Sequence, residues 1–486
     1  MKKYENFHLQ FIGGEWGEGS SKTSKIADYN PYTGELILEF ISADEQDVDA
    51  AYQAAKLASK NWAVSNFTER RDIMSKALEL FTVRKQEFID LLVMESGSTL
   101  LKAKIEFDAA IEGFKFAIGM PARLQGYISQ SSVAGKEARV YRKPLGVIGV
   151  ISPWNLPFYL SLRSVIYALA VGNTVVLKPA PQTPITGGSF MGKLFEEAGI
   201  PKGVFNVVMG SNEETGDAFV ENPIPRLISF TGSTRVGSMI GEKCGRLLKK
   251  AVLEMGGDNA FIVREDADID YAVNSAAFGK FLHQGQICMA INRILIHENI
   301  YQEFAEKFIA KIATLKYGNP ADPDVIVGPL IEKRQVDRIL KNIDESIKAG
   351  AILALGGTAE GNVIAPTVIT NATNKMPIAC DEIFGPVAVL IPFKDDEEAI
   401  QMANDSIYGL SGALHTKDLD KGVRIAQQIE TGMVHINDQS VNDEPQIVFG
   451  GEKSSGLTKF NADEVVAEFT TLQVITVQYE HRKYPF

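Results

Sequence analysis

Between residues 145 and 230, short apolar runs alternate with stretches of helical spacing. "GVIGVI" (146–151), "NTVVL" (173–177), "FNVV" (205–208) and "RLISF" (226–230) are continuously apolar rather than alternating. Strands read this way when crossover helices bury both of their faces, so the pattern predicts a parallel sheet. "NAFIV" (259–263) and "INRILIH" (291–297) then open a second α/β region. Upstream, Ile73, Ala77, Leu80, Phe81, Phe88 and Leu92 keep a helical spacing and predict an apolar helical face. "SADE" (42–45) predicts a capping box with Ser42 at the N-cap, and "NPYTGE" (30–35) predicts a tight turn. At the far end "TTLQVITVQYE" (470–480) is a strand with no helix after it, and "ARVYR" (138–142) is a second strand outside the sheet. Strands this isolated either close onto their own domain or are covered by another subunit.

The parallel sheet is of Rossmann type, and 486 residues are too many for one core, so two or three domains are expected. A net charge of −12 disfavours nucleic acid or an anionic membrane as partner. The stretch from Leu145 to Leu177 is interrupted by Pro153, Asn155, Pro157 and Arg163, which argues for buried structure instead of a membrane span. "MKKYENFHLQFIGGEW" lacks the apolar core of a signal peptide. Three widely spaced cysteines fit free thiols in a reducing compartment, and the expected location is the cytoplasm.

In an open parallel sheet, ligands bind beyond the carboxyl ends of the strands. Those ends are followed by Trp154 and Asn155, by Lys178, by Gly210, and by Gly232, Ser233 and Gly237. Glycines admit a phosphate to the backbone and a helix N-terminus adds positive potential, so this is the make-up of a dinucleotide site. The G-x-G-x-x-G fingerprint is absent. "LEMGGDNA" (253–260) sets Glu254 where the two α/β regions join, and "HQGQICMAINR" (283–293) carries Cys288. With no paired Cys/His spacing a metal site is not expected, and with no G-x-S-x-G a serine hydrolase is not. A lone thiol such as Cys288 is either a small buried hydrophobe or a nucleophile. Cys244 and Cys380 are expected to be buried packing residues.

"PWNLP", "LEMGGDNA", "GQICMA", "DEIFGPV" (381–387) and "FGGEKSSG" (449–456) occur in an order and spacing that resemble the aldehyde dehydrogenase superfamily over nearly the whole chain. "INDQSVNDEP" (436–445) and Arg163 resemble the branch acting on benzaldehyde, vanillin and salicylaldehyde. The resemblance implies that Cys288 attacks the aldehyde, with Asn155 and the Cys288 backbone N–H holding the oxyanion. It implies that hydride transfer leaves a thioester and that Glu254 activates the hydrolytic water. Trp154, Lys178, Gly210, Phe230, Gly232, Ser233, Gly237, Gly256, Glu382 and Phe384 would bind NAD or NADP. Tyr159, Arg163, Ile287 and Phe449 would line the substrate tunnel; Arg163 could partner a ring hydroxyl or an internal carboxylate.

The implied architecture is a dinucleotide-binding domain (1–120, 145–254 and 440–465), a catalytic domain (255–439) and a β arm (121–144 and 466–486) that builds a homodimer or homotetramer. The sequence departs from the family twice. Pro181 stands where NAD-preferring members often carry a glutamate, which leaves NAD or NADP open. Glu452 stands where many members have a small or apolar residue. The rivals are a semialdehyde dehydrogenase, a CoA-acylating form and a catalytically silent relative.

Overall fold

The computed structural model describes residues 7–486; residues 1–6, the start of the stretch judged for a signal peptide, lie outside them. Two seven-stranded sheets carry the molecule. The first runs Lys250–Glu254, Leu227–Thr231, Val147–Ile151, Thr174–Lys178, Phe205–Val207, Gln10–Ile12, Glu15–Gly17. Its first five strands are parallel. Gln10–Ile12 adds antiparallel to Phe205–Val207. The register levels the strand ends, with Phe230 and Lys178 both opposite Ile151, and Glu254 opposite Thr231. The groups that follow the strands therefore meet on one rim.

The second sheet is ordered Ile352–Leu355, Thr367–Thr370, Val387–Phe393, Ile291–His297, Asn259–Val263, Ala413–His415, His435–Ile436. It is parallel except for its first strand, which runs antiparallel to Thr367–Thr370. A third sheet pairs Thr470–Gln478 with Lys136–Pro144 over nine residue pairs and adds Tyr127–Gln130. It leaves Tyr127, Ile128, Leu472, Val474 and Ile475 exposed.

An all-buried helix, Pro157–Ala170, lies across the helix Leu100–Ile118 and under the first sheet. Its Phe158 stacks on Phe88 at 4.0 Å between centroids and joins Phe81 and Phe107. Burying each such ring is worth about 1.5–3 kcal/mol, so this helix is a fixed base for what stands on it.

Three expectations need correction. The capping box lies two residues further on: Asp44 is the N-cap of Glu45–Val64, Asp47 reciprocates, and the Ser42 hydroxyl bonds the Ala43 carbonyl. A carboxylate there accepts two backbone N–H bonds, from Gln46 and Asp47. The apolar face of 73–92 is split between two helices, Phe67–Val83 and Lys85–Ser96, that join at Arg84; the break lets Phe81 stack on Phe88. Cys244 is buried as expected, but Cys380 is exposed, because it ends a surface turn beside exposed Asp381. Among the described residues no helix is long and apolar enough to cross a membrane, and no group of three or more His, Cys, Asp and Glu side chains could hold a metal.

Candidate active site

Cys288 hangs in the turn between the helix Ile269–Phe281 and the strand Ile291–His297. The backbone enters it through left-handed conformations at His283, Gln284 and Gly285. Two of those are not glycine, so side-chain bonds must hold the turn. Gln284 Nε2 donates to the carbonyls of Gly97 and Pro329. Asn259 Nδ2 donates to the carbonyls of Cys288 and Ala290, both at 2.8 Å, and Ser440 Oγ donates to Met289 O. Gly257 completes the seat, since a Cβ there would lie 2.6 Å from the Cys288 carbonyl.

Asn155 Nδ2 donates to Gln286 O at 2.8 Å, two residues before Cys288, and its second N–H is free for another acceptor. Glu254 ends its strand, almost wholly buried, and neither carboxylate oxygen has a hydrogen-bond partner. Gly450 touches it, since a Cβ there would lie 3.1 Å from Glu254 Oε1. Burial pushes the Glu254 carboxyl up to about 8, with Asp443 adding and Arg163 and Lys459 opposing. Burial also pushes the Cys288 thiol up to about 12, helped by the charges of Glu382, Glu254 and Asp443 and opposed by Arg163. In this arrangement the thiol is protonated at neutral pH and needs a base before it can attack.

The rim fits a dinucleotide. Lys178 is buried at its strand end, its Nζ 2.9 Å from Asn212 Oδ1, and burial lowers its pKa to about 8 against the opposing charge of Glu213. Ser233 is the N-cap of Thr234–Arg246, makes no side-chain capping bond, and no acidic residue occupies the first turn. That leaves backbone N–H groups and the positive helix end for a pyrophosphate. Gly232 and Gly237 are glycine for packing too, because added Cβ atoms would strike the Phe230 ring and Met255. Phe230, level with Lys178 at its strand end, packs beneath that turn with Ile240 and Leu253. Gly210 packs against Thr215 in the same manner.

Across the rim, Phe384 meets Trp154 edge-on at 5.5 Å. Glu382 Oε1 accepts from Gly257 N, and its carboxylate lies over Gly256, where a Cβ would be 2.5 Å from Oε2. Burial raises Glu382 to about 8. Arg338, unmarked in the sequence reading, donates to the carbonyls of Glu382 and Ile383 and so fixes this loop.

On the substrate side, Arg163 is fully enclosed. Its NH1 donates to Asp443 at 3.0 Å, and its guanidinium lies 4.7 Å from the Phe449 ring centroid and 4.5 Å from that of Phe460. Tyr159 donates to the same Asp443 oxygen at 2.6 Å, and Asn461 holds the other. Of the two roles open to Arg163, the geometry supplies the internal carboxylate. Ile287 and Phe449 are buried beside the site. A cleft of about 370 Å³ lies alongside, sharing Asp443 and Phe449 with this cluster and lined further by Met433, Val434, His435, Asp438, Glu444, Ile447 and Val448. Glu452 pairs at 2.9 Å with Lys459 on the surface, and Lys459 also bonds the Gly450 and Gly451 carbonyls beside Glu254.

The family model for the aldehyde dehydrogenase family matches residues 16–475. The chain belongs to the aldehyde dehydrogenase family. Among curated relatives it is 49% identical, over the whole of both chains, to benzaldehyde dehydrogenase YfmT of Bacillus subtilis. It is 46% identical to vanillin dehydrogenase of Corynebacterium glutamicum, covering 95% of each chain. Among solved aldehyde dehydrogenases, the salicylaldehyde dehydrogenase of Pseudomonas putida G7, complexed with salicylaldehyde, superposes with a TM-score of 0.95 at 36% identity, covering 98% of this chain and 99% of that one.

The residues missed by the sequence reading are those acting on backbone: Asn259, Ser440 and Arg338, with Asp443 and Lys459. Asn259 lay inside "LEMGGDNA", and Ser440 and Asp443 lay inside "INDQSVNDEP", which is the signal that could have found them.

Proposed function

We propose that this protein oxidises aromatic aldehydes of the benzaldehyde and vanillin type to carboxylic acids, with NAD or NADP as hydride acceptor, in the cytoplasm and as a homodimer or homotetramer. The observation that supports the chemistry is that the Asn155 amide bonds Gln286 O, two residues before Cys288, while the unbonded Glu254 carboxyl is near enough for its charge to act on the thiol. Once Cys288 has lost its proton to a base, its sulfur bonds to the carbonyl carbon and the carbonyl π electrons move onto oxygen. The free N–H of Asn155 and the Cys288 backbone N–H receive that oxyanion; removing one such donor typically costs about 10²–10³ in rate. Lys178, Ser233, Glu382, Trp154 and Phe384 would hold the dinucleotide. When bound, its nicotinamide supplies the two-electron oxidant that takes the adduct to a thioester. Glu254 then takes a proton from water as the water oxygen adds to the thioester carbon, and the Cys288 thiolate leaves with its electron pair. Glu254 favours water over CoA in this step, and product analysis with and without CoA separates the two.

The aromatic preference is supported by the likeness to benzaldehyde and vanillin dehydrogenases and by the aromatic walls at Tyr159 and Phe449, where ring contacts add about 0.5–1.5 kcal/mol beyond area burial. A semialdehyde carboxylate finds poor reception. Arg163 is already paired with Asp443, and the cleft is lined by Asp438, Asp443 and Glu444 without a lysine or arginine. Oligomerisation is supported by the exposed apolar residues of the third sheet. The test is kcat/KM for benzaldehyde, vanillin, acetaldehyde and succinic semialdehyde with each dinucleotide. Aromatic aldehydes should lead; a tenfold lead by succinic semialdehyde or acetaldehyde would overturn the aromatic assignment.

A further inference from the structure

Asn155 is held from two sides, and the side away from the cysteine is a buried ion pair. Lys102, in the first turn of Leu100–Ile118, is 1% exposed. Its Nζ donates to Glu106 Oε2 at 2.5 Å, to Ser98 Oγ at 2.8 Å and to the backbone carbonyl of Asn155 at 2.7 Å. All three ammonium protons are therefore used. The second carboxylate oxygen of Glu106 accepts from the backbone N–H groups of Phe158 and Tyr159, at 3.0 and 3.2 Å. Those are orphan donors at the start of Pro157–Ala170, whose N-cap, Leu156, supplies no capping side chain. One helix thus caps another, with a carboxylate at its positive end, and holds the carbonyl of Asn155, the residue before its N-cap.

We propose that Lys102 and Glu106 are positioning residues for aldehyde oxidation. Lys102 fixes the backbone of Asn155 while Gln286 O fixes its amide, so the free Asn155 N–H and the Cys288 backbone N–H keep one spacing for the developing oxyanion. The proposal rests on the reading of Asn155 as oxyanion donor. Glu106 sets the start of the helix that carries Tyr159 and Arg163. Neither residue is bonded to Lys178, Ser233, Glu382 or Phe384. A purely structural pair of this kind is replaceable, since apolar substitutes for a buried ion pair are often neutral or stabilising. A positioning pair is not, because a shift of about 1 Å at the reacting centre can cost about 10²-fold.

The test uses Lys102→Met/Glu106→Gln, which leaves no unpaired buried charge and keeps an oxygen for Phe158 and Tyr159, beside Lys102→Met alone and Asn155→Ala. Melting temperature, dinucleotide affinity by fluorescence and the burst of NAD(P)H per titrated Cys288 are measured for each. For the double variant we expect a melting temperature close to wild type, dinucleotide affinity within about twofold, and a burst rate constant lowered about tenfold or more; kcat/KM falls with it while KM moves little. A burst rate within twofold of wild type in the double variant, with Asn155→Ala slowed, overturns the positioning role alone. A burst rate unchanged in both overturns the reading of Asn155 and the positioning role with it. Should Lys102→Met fail to fold, the double variant still decides.

Discussion

The cofactor rim and the cysteine turn face one another, and they are held in place by different means. The rim follows from the sheet: Lys178, Glu254 and the Gly232–Ser233 turn sit where parallel strands in register end. The cysteine turn has no such ladder behind it. Asn259, Gln284 and Ser440 hold it by side-chain bonds to backbone carbonyls, against left-handed conformations at His283 and Gln284. A rim of this kind tolerates loss of one side chain, because the ladder remains. A turn held by a few amides loses its geometry when one of them goes.

The largest effect is expected at the turn itself. Cys288→Ala removes the sulfur and should abolish aldehyde oxidation, while dinucleotide affinity, measured by fluorescence titration, stays within a few-fold because the rim is untouched. A tenth of the wild-type rate remaining would exclude Cys288 as nucleophile.

Next comes Glu254→Gln, which keeps the strand end and removes the base. A burst of NAD(P)H near one equivalent per site should precede slow turnover. In the wild-type enzyme kcat should rise with pH through about 8, as the Glu254 carboxyl loses its proton; the variant should lack that limb. The same raised pKa has a consequence for stability. The protonated, folded carboxyl contributes stability fully present below about 4.5, which is lost as pH rises through about 8. Glu254→Gln should therefore melt above wild type at pH 9, with the gap closing by pH 5; equal melting curves at pH 9 would contradict the raised pKa.

Asn259→Ala sharpens the comparison most directly. It strips two bonds from the cysteine turn and the acceptor of the Ser411 N–H, while Lys178 and Ser233 on the rim make no bond to it. The expected outcome is kcat lowered by about 10–10²-fold with dinucleotide affinity nearly unchanged. If affinity falls as much as kcat, the two regions are not separable.

The smallest effect belongs to the rim. With Pro181 in place, both NAD and NADP should support turnover, and Pro181→Glu should penalise NADP by roughly tenfold, because charge repulsion there is screened by water and salt. Discrimination by the wild-type enzyme greater than about a thousandfold, or roughly 4 kcal/mol, would refute the dual use.

The same contrast explains what could be read beforehand. Continuous apolar runs placed the strands from Val147 to Thr231, and what followed each run named Lys178 and Ser233 without any structure. Cys288 and Glu254 came through motifs whose order and spacing matched a family. Lys102, Glu106 and Arg338 stayed hidden because each acts on the backbone of a residue far away in sequence and none stands in a quoted motif. No periodicity or local motif records a bond from Lys102 to the Asn155 carbonyl. The capping box slipped by two residues because Ser42-x-x-Glu45 and Asp44-x-x-Asp47 overlap, and only the backbone of Asp44 turns into the helix. Cys380 was misplaced because a thiol at the end of a turn carries no pattern that distinguishes it from a buried one.

Gly257 leaves no room for a methyl group beneath the Cys288 carbonyl. The seat of the reacting sulfur is thereby geared to the chain that carries Glu254, and drift in either must be matched by the other. The wall at Ile447 and Val448 has no such partner; both side chains are exposed. Descendants of this enzyme can thus acquire new aldehydes by changing that wall while the oxidation itself is inherited intact, and directed evolution of its substrate range has its freest starting positions there.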